Sequence, residues 1–119
     1  MAQKMNVLVD TDILIKVYRG DFEKERQLSL LATPILISSI TAIELTIGLQ
    51  SRRRMLALKK QLKSYTIIEV TDQISRLAKT LAFQYNIEHT LFVADSIIAA
   101  TTIIHKFQLF TDNKKDLNL

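Results

Sequence analysis

An apolar run that stops on an acid and restarts with helical spacing constrains this chain more than any other feature. Met5-Asn6-Val7-Leu8-Val9 reads as a short buried strand. The hydrophilic residues Asp10-Thr11-Asp12 interrupt it, and Ile13-Leu14-Ile15-Lys16-Val17-Tyr18 resumes with a helical period. A strand that ends in an acid and turns straight into a helix puts that acid at a sheet's carboxyl edge. Open α/β sheets bind ligands at that edge. Glu44, Asp95 and Asp116, far apart in sequence, stand in local settings that could bring them to the same place.

The remaining pattern repeats the alternation. After a strand at 5–9 and a helix from 13 to about 19, Gly20-Asp21 offers a stop and an N-cap. A helix at 22–32 follows, with Phe22, Leu28 and Leu31 on one side. Ile35-Leu36-Ile37 is an all-apolar run of the kind expected in a central parallel strand. Ser38-Ser39 can cap a helix from about 40 to 49, striped by Ile40, Ile43 and Ile47. Glu44 lies on that stripe by spacing. A helix from 52 to about 63 directs Met55, Leu56, Leu58 and Leu62 inward. Residues 65–70 are strand-like by their β-branched content. Thr71 caps a helix from 72 to about 85, striped by Ile74, Leu77, Ala78, Leu81 and Ala82. The most apolar helix starts at His89 or Thr90 and runs to about 105, before a last strand at 107–110. The expected fold is α/β, a three-layer α/β/α sandwich around a central, mainly parallel sheet of four or five strands.

Two glycines and one proline leave no room for a linker, so residues 1–119 read as a single domain. A hydrophobic content of 48% and a mean hydropathy of +0.14 support a real core and argue against disorder. The absence of cysteine excludes a disulfide scaffold, a thiol nucleophile and a zinc–thiolate site, and suits a reducing cytoplasm. The N-terminus has one lysine and no long apolar core, unlike a signal peptide. The longest apolar stretch, 91–104, is broken by Asp95-Ser96 and is too short to span a bilayer, so no membrane association is expected. A net charge of +4 makes an anionic partner plausible, nucleic acid or an acidic protein.

Each acid has a structural and a functional reading. Asp10 can be an N-cap, a role worth roughly 1 kcal/mol, but Asp12 can serve equally well. Two acids within three residues exceed what capping requires. Glu44 among isoleucines pairs with an Arg or Lys, sits at a wet stripe edge, or is compensated by a cation; an isolated buried carboxylate costs several kcal/mol or takes up a proton. Asp95 is either the N-cap of a helix that starts late or an acid inside an apolar helix. Asp112, Asn113 and Asp116 follow the last strand as Asp10 follows the first, and turn chemistry also explains them. Crowded carboxylates repel unless a counter-charge joins them. Mg²⁺ or Mn²⁺ fits hard oxygen ligands and can activate water against a phosphodiester.

The stretches Val9-Asp10-Thr11-Asp12-Ile13-Leu14-Ile15, Ser39-Ile40-Thr41-Ala42-Ile43-Glu44-Leu45, Asp95-Ser96-Ile97-Ile98-Ala99-Ala100-Thr101 and Leu109-Phe110-Thr111-Asp112-Asn113-Lys114-Lys115-Asp116 together resemble the PIN-domain ribonucleases. Within them they resemble the VapC-type toxins of toxin–antitoxin pairs. The resemblance runs through the whole chain and implies a PIN-like sandwich and metal-dependent hydrolysis of RNA. It implies Mg²⁺ or Mn²⁺ held by Asp10, Glu44, Asp95 and an acid of the last motif, where Asp116 is favoured over Asp112 or Asn113. Thr11 and Thr111 match positions that support the site by hydrogen bonding. It further implies a homodimer and a small VapB-like antitoxin covering the site. The chain departs from the pattern at Asp12, where Asn or Ser is frequent, and at 90–94, where a frequent Gly and Pro are missing. It also stops at Leu119, where many relatives continue into one more edge strand.

Lys114 and Lys115 flank the candidate site and suit phosphate contact. Arg52, Arg53, Arg54, Lys59, Lys60 and Lys63 read first as a solvated helix face, and otherwise as an RNA path or an antitoxin contact. His89 and His105 lack ligand-like spacing. Asp10-Thr11-Asp12 also looks like the opening of haloacid-dehalogenase-like phosphatases, but no Gly-Thr follows and Glu44 has no role there. A nuclease of RNA processing or decay outside a toxin system, or a binding module without turnover, would use the same fold.

Overall fold

The computed structural model describes residues 6–31, 34–49, 51–85 and 92–112. Among them the elements run β1 (Val7–Val9), α1 (Thr11–Tyr18), α2 (Phe22–Ser29), β2 (Leu36–Ser38), α3 (Ser39–Ile47), α4 (Arg52–Leu62), β3 (Thr66–Ile68), α5 (Asp72–Tyr85), α6 (Val93–His105) and β4 (Gln108–Phe110). The four strands form one parallel sheet in the order β3-β2-β1-β4. Leu8 pairs with Leu36, and Val9 with Phe110.

Successive strand residues face opposite sides of a sheet, and the core divides accordingly. Val9 and Ile37 pack with Ile13 and Leu14 of α1, Leu28 of α2, Leu45 of α3 and Leu58 of α4. Leu8 and Leu36 pack on the other side with Ile98 of α6. Behind them Ile74, Ala78 and Leu81 of α5 meet Ala99 and Ala100. The expected three-layer α/β/α sandwich is therefore what forms. No helix of the described residues is long and apolar enough to cross a membrane.

Several helix starts follow the expected capping. Asp21 Oδ1 accepts from Lys24 N–H at 3.0 Å, Ser38 Oγ from Ile40 N–H at 3.2 Å, and Thr71 Oγ1 from Ile74 N–H at 3.2 Å. Three helix faces differ from expectation. In α3 the inner residues are Thr41 and Leu45, while Ile43 is 52% and Ile47 77% exposed. This helix is apolar on almost every side, so apolar spacing alone does not identify its inner face. In α2 Phe22 points out at 81% exposure. In α4 only Leu58 and Leu62 turn inward and Met55 and Leu56 are exposed, because the helix touches the domain along a narrow seam. Helix α6 begins at Val93 rather than at 89 or 90, and residues 86–91, which include His89, lie outside the described residues.

Candidate active site

The chain lays β1, β2 and β3 in one direction and then returns to add β4 on the far side of β1. The crevice at the carboxyl ends of β1 and β4 is thus the topological switch point of the sheet, where this class of fold binds ligands. Asp10 N–H extends the ladder by donating to Phe110 O at 2.9 Å. Asp10 and Thr111 therefore leave the sheet side by side.

Asp10 is the N-cap of α1, with Oδ1 accepting from Thr11 N–H at 2.7 Å. Its Oδ2 accepts from the Thr111 hydroxyl at 2.6 Å. The residue is only 5% exposed. Burial pushes its carboxyl up to about 6, the charges of Asp12 and Asp95 push the same way, and the Thr111 and Thr11 donors hold it back.

The Thr11 hydroxyl reaches across to α3. It donates to Glu44 Oε1 at 2.7 Å and lies 2.9 Å from the hydroxyl of the fully buried Thr41. Glu44 is half-buried, and among the described residues no Lys or Arg pairs with it. The ion-pair reading of Glu44 thus finds no cation there. Asp95 is the third residue of α6, and its Oδ2 accepts from Phe92 N–H at 3.3 Å. It is a first-turn acid, favoured by the helix dipole, and not the N-cap. Asp10, Thr11, Thr111 and Glu44 are thus linked by hydrogen bonds at one end of the sheet, and the charge of Asp95 acts on Asp10.

Asp12 turns elsewhere. Its Oδ2 accepts from Asp112 N–H at 3.3 Å, while Oδ1 is buried without a hydrogen-bond partner among the described residues. Burial raises its carboxyl above the usual range. The Asp112 carboxylate is held by Lys16 on Oδ2 and by Lys24 on Oδ1, the latter at 2.8 Å, and these bonds keep its carboxyl below the usual range. Asn113, Lys114, Lys115 and Asp116 lie outside the described residues. Among the described residues no three of Asp, Glu and His form a ready-made metal-binding group.

Two features are not apparent from the sequence reading alone. Thr41 is a polar residue on the buried stripe of α3, three positions before Glu44, and that placement is a usable signal. The lysine clip on Asp112 leaves almost none, beyond Lys16 interrupting an apolar run.

The PIN-domain family model matches residues 7–118. This chain belongs to the PIN-domain family. PIN domains are nucleases, so the family-level resemblance carried by the four motifs is borne out. This PIN domain is similar to a chain of a toxin–antitoxin complex from Klebsiella pneumoniae, at 30% identity and TM-score 0.82, covering 93% of this chain and 89% of that one. It shares its fold with a chain of a DNA-bound VapBC from Salmonella typhimurium, at 17% identity and TM-score 0.78, covering 97% and 92% of the two chains. It also shares it with VapC20 of Mycobacterium tuberculosis, a toxin that cleaves the sarcin–ricin loop, at 15% identity and TM-score 0.72, covering 92% and 93%. No curated protein matches the chain.

Proposed function

We propose that this PIN domain is a Mg²⁺- or Mn²⁺-dependent endoribonuclease and the toxin of a type II toxin–antitoxin pair. The observation that carries the reading is Asp10, a buried carboxylate at the switch point whose ionisation is opposed by burial and by neighbouring acids. It lacks a counter-charge of its own among the described residues. A hard cation with oxygen ligands supplies one, and the donor set contains carboxylates and hydroxyls but no sulfur. Mg²⁺ keeps several waters and needs only one or two carboxylates from the protein, which fits an edge without a ready-made cage among the described residues.

Asp10 and Asp95 would hold the ion, with Glu44 and Asp116 as the further acids. When bound, the ion supplies a positioned water for attack on phosphorus and offsets charge building on the phosphate oxygens. The protein's own groups orient the carboxylates. Thr111 fixes Asp10 Oδ2, and Thr11 fixes Asp10 Oδ1 through its amide and Glu44 through its hydroxyl. Lys114 and Lys115 are the candidates for phosphate contact. The 30% identity to a chain from a toxin–antitoxin complex supports a small VapB-like antitoxin as partner. RNA as the substrate, a homodimer and a cytoplasmic location complete the proposal.

The phosphatase alternative needs Asp12 next to the phosphoryl site as acid/base. Asp12 instead accepts from Asp112 N–H, which disfavours that reading. The test is cleavage of a panel of structured RNAs with Mg²⁺, with Mn²⁺ and with chelator, by the wild type and by Asp95→Asn purified identically. Metal-dependent cutting that vanishes in a folded Asp95→Asn protein is the expected result. Equal cutting by both would sink the assignment of Asp95. Metal binding without cutting would favour a binding module.

A further inference from the structure

Asp112 is not available as a ligand in the way its place in the last motif suggests. Both carboxylate oxygens are occupied by lysines from two helices, Lys16 on α1 and Lys24 on α2. Lys24 is well packed for a lysine, with a side chain 19% exposed, lying 3.4 Å from Gln27 Oε1 and 5.8 Å above the Phe110 ring. The residues that lead into the clip have specific partners. Asp112 N–H donates to Asp12 Oδ2, and the preceding residue, Thr111, donates its hydroxyl to Asp10 Oδ2 at 2.6 Å. Fixing the Asp112 side chain therefore fixes the turn that aims the Thr111 hydroxyl.

We propose that Asp112, clamped between Lys16 and Lys24, is a positioning residue that acts through Thr111 to set the direction of the Asp10 carboxylate. The inference rests on the reading of Asp10 as a divalent-metal ligand. Groups that orient a metal's ligands typically change affinity 10- to 100-fold when removed. The clip holds charge of both signs, so position and simple electrostatics can be separated. Lys24→Met removes a positive charge near a cation site. Coulomb attraction alone then makes the site bind cations more tightly. Loss of positioning makes it bind them more weakly.

The experiment is calorimetric titration of the metal-free full-length protein with Mn²⁺. The proteins are the wild type, Asp112→Asn, Lys24→Met, Lys24→Arg, Thr111→Val and the double variant Thr111→Val/Asp112→Asn. Each is checked for fold by its far-ultraviolet spectrum and melting temperature. Lys24→Met is expected to weaken Mn²⁺ binding about tenfold and Lys24→Arg to restore most of it. Asp112→Asn is expected to weaken binding by a similar factor in the wild-type background and hardly at all in the Thr111→Val background. Tighter binding by Lys24→Met, or an equal loss from Asp112→Asn in both backgrounds, overturns the inference. A folded wild type that binds no Mn²⁺ instead overturns the metal-site reading beneath it.

Discussion

Asp10 concentrates the conflict between folding and chemistry in one side chain. An acid whose folded pKa lies above its unfolded value holds its proton more tightly in the native state. It therefore removes stability as pH rises from about 4 to about 6, and the full cost persists above that. A rise of this size corresponds to about 3 kcal/mol. Asp10→Asn is expected to raise the melting temperature of the metal-free protein at pH 7.5, to leave it nearly unchanged near pH 4, and to abolish RNA cleavage. An asparagine keeps the acceptor for Thr11 N–H, and the Thr111 hydroxyl can reverse to accept from the new amide. A metal-free variant less stable than the wild type at pH 7.5 would show that the carboxylate is not the strained group. Asp10 is legible in the sequence because its signal is local, an acid between a strand and a helix. The role of Asp112 is not, because its partners Lys16 and Lys24 lie 96 and 88 residues away.

Among the elements, α3 shows where sequence periodicity runs out. A helix such as α5 alternates apolar and charged residues, so its inner residues Ile74, Ala78 and Leu81 can be picked out by spacing. The residues of α3 carry one charge, Glu44, and isoleucines on both sides. The phase of that helix is fixed by the Ser38 cap and by the packing of Leu45 against the sheet, which spacing does not reveal. The assignment has a simple consequence for stability. Leu45→Ala is expected to cost about 2–4 kcal/mol, whereas Ile47→Lys, at a side chain in water, is expected to stay within about 0.5 kcal/mol of the wild type. Urea midpoints of the two variants check this, and a reversed order would mean that α3 is turned the other way. The strands needed no such help, since each apolar run is short and bounded by a change of period.

For the molecule as a whole, ligand binding and folding share one equilibrium. A cation that binds the native edge and not the unfolded chain adds stability by mass action, about 2.7 kcal/mol when its concentration is a hundred times its dissociation constant. Because the ion must displace a proton from Asp10, the gain is expected to be larger at pH 7.5 than at pH 5. Scanning calorimetry with and without Mn²⁺ at the two pH values measures it. An equal gain at both would separate the bound ion from Asp10.

The crevice between β1 and β4 joins side chains 101 residues apart, Asp10 and Thr111. A chain emerging from the ribosome therefore carries Asp10 and Glu44 long before the strand that completes their setting exists. Until β4 slots in beside β1, Asp10 has no Thr111 hydroxyl to orient it. With the proposed activity, an enzyme that cuts RNA and is made on an RNA template would stay harmless to that template until β4 has been made, by sheet topology alone.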